Sequence, residues 1–475
     1  MPEPLGHVAL HNGRAAEHCH ASGHWLSSGN RSPQNRAVEW PAWHAVAMIS
    51  RRQFLALSAL TGVAAACSSN SSSSPTTAAP TAPSTAAPTT AAPTTTVAPT
   101  TTLSVADQAS AYTAAGPHPV GVTTLTLSKG NKVEVWYPAV AGTTGTVSYD
   151  VRDFTPPAIK AILTADIPAS YSFEGGRDAA AADGTFPVVL FSHGFTGIRL
   201  QSSFLTSHLA SWGMIVAAPD HPSRDLPNVL GGTAKGGQPD SVDDLLKTLD
   251  LVFAENDSAT SLLKGHVDTK NVAALGHSAG GGTIVGASSD PRIAGYLSMA
   301  SGLALAGGGS AAPASTVPGQ TTTTSPEPTT TVAPVKPPEK PSFFMAGAID
   351  QVASVEKLTR PSFEQAPTPT RLWVIDQVGH NGFDDFCTFG NGQGIIGVAE
   401  ASGLGPLLEA QPMLRKLGSD GCLPPAIAVD ETFPIIRHAV TAWMRNLFGI
   451  DPEAIGLDKA VAGSYTVPVE IAERL

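Results

Sequence analysis

The sequence predicts an α/β fold: a doubly wound, mostly parallel sheet. Short apolar runs without alternation, typical of strands buried on both faces, recur at residues 188–191, 214–218, 272–275, 293–299, 343–346 and 372–375. Segments with helical periodicity lie between these runs, and such alternation defines the class. Residues 122–127 and 132–137 instead alternate apolar and polar residues around a short polar turn, which predicts an antiparallel hairpin at the N-terminal edge of the sheet.

Three segments have the pattern of helices. Residues 201–212 end at Gly213, and residues 436–447 end before Gly449, as helices commonly do. The third segment begins after Ser241, its predicted N-cap. Its apolar residues follow the i, i+3, i+4, i+7 spacing of a helix: Val242, Leu245, Leu246, Leu249 and Phe253.

Composition limits both the architecture and the partners. The 475 residues are 42% hydrophobic, which is enough for a sizeable core, but only 14% are charged. The 46 glycines and 40 prolines indicate that low-complexity segments dilute the folded part. A net charge of −11 without basic runs gives no electrostatic support for a nucleic-acid partner.

The first hundred residues predict export. Residues 50–66 read SRRQFLALSALTGVAAA, which is similar to a twin-arginine signal peptide, and the apolar run is shorter than the ~20 residues of a membrane-spanning helix. We assign residues 48–66 to this peptide, which then starts at Met48. Residues 1–47 lack periodicity and are interpreted as an over-extended start, so no metal site is predicted from their histidines and Cys19.

Cys67 follows three alanines in a pattern that resembles a lipobox. We expect lipidation there, with cleavage at an A-x-A site as the alternative, so the protein is either a cell-membrane-anchored lipoprotein or secreted. Residues 67–104 are rich in Ser, Thr, Pro and Ala and predict a tether, because they cannot bury enough apolar surface to fold. The folded domain then runs over 105–475, with a Thr- and Pro-rich insertion at 306–340 predicted to be a disordered surface loop.

A candidate nucleophile follows the third apolar run. Gly276-His277-Ser278-Ala279-Gly280 is a G-x-S-x-G pentapeptide between the run at 272–275 and a Gly-rich segment that can open a helix. A sharp strand-to-helix turn strains the serine backbone, and only glycines fit on either side of it. We therefore predict Ser278 as a nucleophile at the carboxyl edge of the sheet.

A base and an acid are expected after later strands. His380 follows the run at 372–375 and is the predicted base, because a serine hydroxyl reacts only when a base removes its proton. Asp350 follows the run at 343–346 and is the predicted acid. The competing acids are Asp376, Asp384 and Asp385. The order Ser278, Asp350, His380 is that of the α/β-hydrolase fold.

The tetrahedral intermediate of such a site needs N–H donors. Ala279, directly after the nucleophile, is one predicted oxyanion-hole residue. Phe195 in the loop after residues 188–192 is the other, with its ring lining the acyl pocket. Gly194 lets this backbone approach the serine.

The remaining histidines and cysteines have minor predicted roles. His277 is expected to be packed beside the serine, and His221 lies at the edge of the site with its role open. His208, His266 and His438 are expected on the surface. Cys387 and Cys422 are expected to pair outside the cytoplasm, closing a loop of about 35 residues and anchoring the histidine loop, with two free buried thiols as the alternative.

Several motifs together resemble a known group. GHSAGGGT around Ser278, SHGFTG around His193, VWYP at residues 135–138 and GHNGFDDFC from Gly379 resemble α/β-hydrolases of the platelet-activating-factor acetylhydrolase group, allied to dienelactone hydrolases and bacterial polyester hydrolases. The resemblance covers about residues 115–450. It implies hydrolysis of carboxylic esters without a metal. Dienelactone hydrolases use cysteine as nucleophile, so Ser278 argues against that activity.

The sequence thus predicts an envelope-tethered serine carboxylic ester hydrolase, similar to esterases and lipases, that needs no cofactor. Its expected partners are a small-molecule or lipid ester and, through the lipid anchor, a membrane. An amidase or peptidase on the same residues and a non-catalytic envelope lipoprotein are the alternatives.

Overall fold

The computed structural model describes residues 103–307 and 336–475. The predicted start segment, signal peptide, lipidation site Cys67 and all but the last two residues of the tether lie outside these ranges, as do residues 308–335 of the predicted insertion. The flanks of that insertion are described. Residues 306 and 307 end a 3₁₀ helix, Leu303–Gly307, and the Lys340 ammonium donates to the backbone carbonyl of Asp290.

The described residues contain twelve strands. They are β1 (Val120–Thr126), β2 (Lys132–Pro138), β3 (Thr146–Asp150), β4 (Ser170–Glu174), β5 (Gly176–Arg177), β6 (Phe186–Ser192), β7 (Ile215–Pro219), β8 (Val267–His277), β9 (Ile293–Met299), β10 (Ser342–Gly347), β11 (Thr370–Ile375) and β12 (Val469–Arg474). Ten of them form one sheet in the order β12-β11-β10-β9-β8-β6-β7-β2-β1-β5, and β3 pairs with β4 separately.

The centre of the large sheet is parallel. Strands β11, β10, β9, β8, β6 and β7 run in one direction, whereas β12 and β2 pair antiparallel at the two ends of this block. Strand β1 pairs antiparallel with β2 over Val120–Thr126. The prediction of an α/β fold is confirmed.

Eleven α-helices accompany the strands in the described ranges. They are α1 (Val105–Ser110), α2 (Pro157–Lys160), α3 (Ser203–Ser211), α4 (Leu226–Leu230), α5 (Gln238–Asp257), α6 (Ala279–Ala287), α7 (Arg360–Gln365), α8 (Gly394–Ala401), α9 (Gly405–Glu409), α10 (Pro412–Ser419) and α11 (Val429–Leu447). Among the helices so described, none is both long and apolar enough to span a bilayer.

Hydrophobic cores lie on both faces of the sheet, as unbroken apolar strands require. Successive residues of β6 alternate between them: Val189 and Phe191 belong to the core under α3 and α11, and Val188 and Leu190 to the core under α5 and α6. All four side chains are fully buried. This alternation specifies the register, because a slip by one residue would exchange the two faces.

The prediction of Ser241 as the N-cap of the third helix is wrong. Helix α5 begins at Gln238 with Gly237 as its N-cap, and the Asp240 carboxylate accepts the Gly237 N–H at 2.8 Å. Pro239 in the first turn, where no intrahelical N–H is needed, signals this earlier start. The Ser241 hydroxyl instead bonds to that of Ser223.

Candidate active site

Ser278 occupies a sharp turn between β8 and α6. Its backbone has φ 55° and ψ −124°, a left-handed conformation that costs a non-glycine residue about 1–3 kcal/mol. A Cβ at Gly276 would overlap the backbone of Gly280, and a Cβ at Gly280 would overlap that of Ser192. Glycine is therefore required at both positions, and the turn presents the hydroxyl at the carboxyl edge of the sheet.

His380 and Asp350 meet Ser278 at this edge. The His380 Nε2 lies 2.9 Å from the Ser278 Oγ, and its Nδ1 lies 2.9 Å from an Asp350 carboxylate oxygen. The other Asp350 oxygen accepts the backbone N–H groups of Val352 and Ala353. With Nδ1–H donating to the carboxylate, Nε2 is left to accept the serine proton.

The charges of the site increase the basicity of His380. Burial lowers the pKa of His380, but the charge and hydrogen bond of Asp350, with further contributions from Asp420 and Asp384, outweigh burial and raise it. Burial in turn raises the pKa of Asp350, and the charge and hydrogen bond of His380 overcome this and lower it. The buried pair therefore favours an ionised carboxylate beside an imidazole that readily takes a proton.

The three competing acids do not face the imidazole Nδ1. Asp376 is partly exposed and makes no side-chain hydrogen bond to His380 in the described residues. Asp384 bonds to Gln201, and Asp385 lies at the N-terminus of α3. Their positions leave Asp350 as the carboxylate that orients the ring.

The two predicted oxyanion-hole residues flank Ser278. Ala279 begins α6, and Phe195 lies in the loop after β6, where a Cβ at Gly194 would approach the Ser278 Cβ to 3.1 Å. The N–H groups of Gly194 and Thr196 are bonded, to Gln201 and to the Arg224 carbonyl. Within the described residues, the N–H groups of Phe195 and Ala279 donate to no protein acceptor, so they are available for an oxygen bound in the cleft.

Sequence reasoning missed a buried network behind the site. The Gln201 Oε1 accepts the Gly194 N–H at 2.9 Å, and its Nε2 lies 2.9 Å from Asp384 and 2.6 Å from the His277 Nδ1. The His277 Nε2 lies 3.0 Å from the His380 carbonyl oxygen. One amide thus connects the loop of Phe195 to both the serine turn and the histidine loop. No local pattern marks Gln201, because these partners are distant in sequence.

Ionisation supports this hydrogen-bond arrangement. Burial and the neighbouring charge of His380 lower the pKa of His277 to about 3, so its ring is neutral at pH 7. A neutral His277 accepts from Gln201 at Nδ1 and donates from Nε2 to the His380 carbonyl. Burial raises the pKa of Asp384 to about 7.

Asp385 attaches the histidine loop to α3. Its carboxylate accepts the N–H groups of Ser203 and Phe204, in the first turn of that helix, at 2.8 and 3.0 Å, and the Tyr149 hydroxyl at 3.0 Å. A helix N-terminus favours a carboxylate partner, whereas burial raises the pKa of Asp385 well above its ordinary value. Asp385 therefore provides the acceptor for N–H groups of the first turn, since the side chain of the N-cap residue, Ser202, accepts none of them.

Two histidines predicted on the surface are buried. His208 is 5% exposed within α3, every residue of which is buried, and His438 of α11 is fully buried and bonds to the Gly456 carbonyl. Their position on helices did not reveal this burial, because the burial results from the packing of both helices against the sheet. His266 is exposed. His221 is fully buried, with bonds to Ser192 and Asp244, and stands outside the cleft.

A small cleft opens beside Ser278. Its wall includes the rings of Phe195 and Phe386 and the aliphatic side chains of Ile395 and Leu417. Cys387, next to Phe386, forms a disulfide with Cys422, with the sulfur atoms 2.02 Å apart. The site thus combines a serine hydroxyl, an imidazole, a carboxylate, two N–H groups without a protein acceptor in the described residues and an apolar wall, an arrangement that can carry out acyl transfer.

Comparisons with known proteins find similarity over part of the chain. A PET hydrolase-like family matches residues 162–301, a range that contains Phe195 and Ser278 and ends before Asp350 and His380. The chain is 31% identical over 126 residues to the bis(hydroxyethyl) terephthalate hydrolase of Streptomyces coelicolor; this match covers 26% of the chain and 36% of the relative. The chain therefore spans about a third of the length of this curated relative.

Among solved structures, a ferulic acid esterase from Streptomyces cinnamoneus matches with a TM-score of 0.46 at 17% identity. This match covers 74% of the chain and 96% of the esterase.

Proposed function

We propose that this protein is a serine carboxylic ester hydrolase of the α/β-hydrolase type, with Ser278, His380 and Asp350 as its catalytic triad. The observation that carries the proposal is the continuous hydrogen-bonded array from the Ser278 hydroxyl through His380 to Asp350, with 2.9 Å at each step. This array activates a hydroxyl that is otherwise a weak nucleophile. The similarity to a terephthalate ester hydrolase and to a PET hydrolase-like family adds support.

In the acylation half-reaction, the Ser278 Oγ attacks the ester carbonyl while His380 takes its proton at Nε2. The N–H groups of Phe195 and Ala279 stabilise the oxyanion that forms. His380 then donates the proton to the leaving alcohol, and the acyl group stays on the serine. Asp350 holds the ring orientation and stabilises the imidazolium throughout.

In the deacylation half-reaction, water takes the place of the alcohol. His380 removes a proton from the water, whose oxygen attacks the acyl-serine carbonyl. Collapse of the second tetrahedral intermediate returns the proton to Ser278 and releases the carboxylic acid. The Phe195 ring lines the acyl pocket in this proposal.

Labelling with a fluorophosphonate and turnover of p-nitrophenyl butyrate test the proposal together. We expect the wild type to label at Ser278 and to hydrolyse the ester, and Ser278→Ala to lose labelling and about 10⁴-fold or more in kcat. Ser289→Ala, at an exposed serine two residues after the end of α6, is the matched control. A wild type that neither labels nor turns over the ester would overturn the proposal.

The matching anilide distinguishes ester from amide hydrolysis. We expect p-nitrobutyranilide to be turned over far more slowly than the ester, and equal rates would favour an amidase. Bis(hydroxyethyl) terephthalate belongs in the substrate panel because the curated relative is named for it.

The proposed place of action is the outside of the cell membrane. The twin-arginine motif and the cysteine after three alanines support export and lipidation at Cys67. Acyl chains on that cysteine would hold the enzyme at a membrane, at ~0.8 kcal/mol per buried CH₂. Mass spectrometry of the mature N-terminus tests this, and an unmodified Cys67 would contradict the anchor.

A further inference from the structure

The chain between the two disulfide cysteines forms a wall of the cleft. Residues 394–421, called the cap below, contain the three short helices α8, α9 and α10. Ile395 near the start of α8 and Leu417 near the end of α10 both line the cleft beside Ser278. A Cβ on Gly418 would lie 2.9 Å from the Ile396 side chain, so α8 and α10 pack closely and hold the two wall residues side by side.

The cap is bound to the loop that carries the base. The backbone N–H of Asn381, directly after His380, donates to the Asp420 carbonyl at 2.8 Å. The Asn381 side-chain amide donates to the carbonyls of Leu417 and Asp420 at 2.8 and 3.0 Å. These bonds keep the end of α10 at a set distance from the imidazole.

The cap is also bound to the loop that carries the acid. The Asp420 carboxylate accepts the N–H of Gln351, the residue after Asp350, at 2.8 Å. The Cys387–Cys422 disulfide closes the segment at its base. Both catalytic loops and a covalent bond hold the cap, so its position relative to the catalytic side chains is fixed.

The chemistry of this wall is apolar and the space beside it is small. Phe386 is buried, and Ile395 and Leu417 are half-buried, as side chains that face a cleft are. None of the lining residues is an aspartate, glutamate, lysine or arginine. The enclosed volume is about 20 Å³, room for on the order of one water molecule, so these side chains leave little space beside Ser278.

We propose that the cap determines specificity, with Ile395 and Leu417 restricting the site to esters whose group against this wall is small and apolar, such as a short acyl chain or a single ring. The inference rests on the proposed ester hydrolysis and names the substrate class of that site. Removing side-chain volume from the wall should admit longer groups, and adding volume should exclude them.

A series of p-nitrophenyl esters from acetate to decanoate tests the cap. We expect the wild type to have its highest kcat/KM with short acyl chains. Leu417→Ala and Ile395→Ala should each raise the ratio of kcat/KM for decanoate to that for butyrate by about 10-fold or more, since each methylene accommodated in a pocket changes kcat/KM by about 10- to 200-fold. Leu417→Trp should lower the same ratio. Met413→Ala, an exposed residue of α10, is the control and should leave the ratio within twofold of wild type.

The outcomes separate the cap from the proposed function. Variants that label with fluorophosphonate but keep the wild-type ratio would overturn the assignment of the cap and leave ester hydrolysis standing. A wild type that prefers decanoate would also overturn it. A wild type that neither labels nor hydrolyses any ester of the series would overturn both.

Discussion

Gln201 controls which backbone donors face the cleft. Its Oε1 occupies the N–H of Gly194, so the next N–H along the loop, that of Phe195, is the one left for substrate. Its amide nitrogen is in turn held by Asp384 and His277. In the proposed reaction, Gln201 touches no reacting atom and acts as a positioning residue for the oxyanion hole.

Replacing Gln201 by leucine should therefore lower kcat more than it changes KM. The substitution leaves the Gly194 N–H without an acceptor and removes the Gln201 donor from Asp384, whose other oxygen keeps the Phe386 N–H. We expect kcat to fall about 10- to 100-fold, since one misplaced oxyanion donor costs up to about 3 kcal/mol. Steady-state kinetics on p-nitrophenyl butyrate, with the exposed Gln365→Ala as control, measures this. An unchanged kcat in a folded Gln201→Leu variant would refute the role.

In the proposed reaction, the pH dependence of kcat/KM is set by His380, which must be neutral to accept the serine proton. Because the surrounding carboxylates raise its pKa, kcat/KM should fall as the pH decreases through that raised value. Asp420→Asn removes one negative charge that stabilises the imidazolium while keeping an acceptor for the Gln351 N–H. The pKa of His380 should then decrease.

We accordingly expect the acidic limb of the kcat/KM profile to move to lower pH in Asp420→Asn. Asp430→Asn, exposed in the first turn of α11, is the control and should leave the limb in place. A limb that stays at its wild-type position, or moves to higher pH, in Asp420→Asn would show that Asp420 does not act on the base.

The histidine loop is the element on which the site depends most. It is joined to α3 through Asp385, to the serine turn through the His380 carbonyl, and to the cap through Asn381. The Cys387–Cys422 bond lies seven residues after the base, at the point where the loop turns into the cap. Loop and cap therefore form one connected unit at the edge of the sheet.

Removing this bond should destabilise the fold. The cysteines are separated by 35 residues, and a closed loop of this length contributes about 3–4 kcal/mol in the chain-entropy model. Cys387→Ala/Cys422→Ala should lower the urea midpoint accordingly, and the reduced wild type should match the double variant. Equal midpoints for variant and oxidised wild type, or two reactive thiols in a denatured chain beginning at Ser68, would contradict the bridge.

At the scale of the whole molecule, the order of the strands in the sheet brings the residues of the site together. Ser278 follows β8, Asp350 follows β10 and His380 follows β11, and these strands lie within four adjacent positions of one parallel block. Their carboxyl ends share an edge, so side chains 102 residues apart in sequence come within hydrogen-bond distance. Strand β12 completes the far side by pairing antiparallel along β11 from Thr370 to Ile375.

The local sequence pattern was enough to predict the class of fold and the candidate site residues at the ends of the strands. Unbroken apolar runs indicated the parallel strands because burial on both faces leaves no polar position, and the glycines around Ser278 marked the strained turn because no Cβ fits there. Helix boundaries were less well predicted, as the start of α5 at Gln238 shows. Strand β12 escaped detection because an edge strand has a short, half-exposed pattern.

The contacts between distant segments depended on packing. Asp350, Asp376, Asp384 and Asp385 are alike in sequence as possible acids, and only the direction of each carboxylate in the folded chain distinguishes them. The burial of His208 and His438, the network of Gln201 and the wall formed by Ile395 and Leu417 arise in the same way. Hydrophobic periodicity predicts only the strand or helix to which a residue belongs. Its hydrogen-bond partners lie on other elements, and the packing of the core between distant segments fixes where those elements lie.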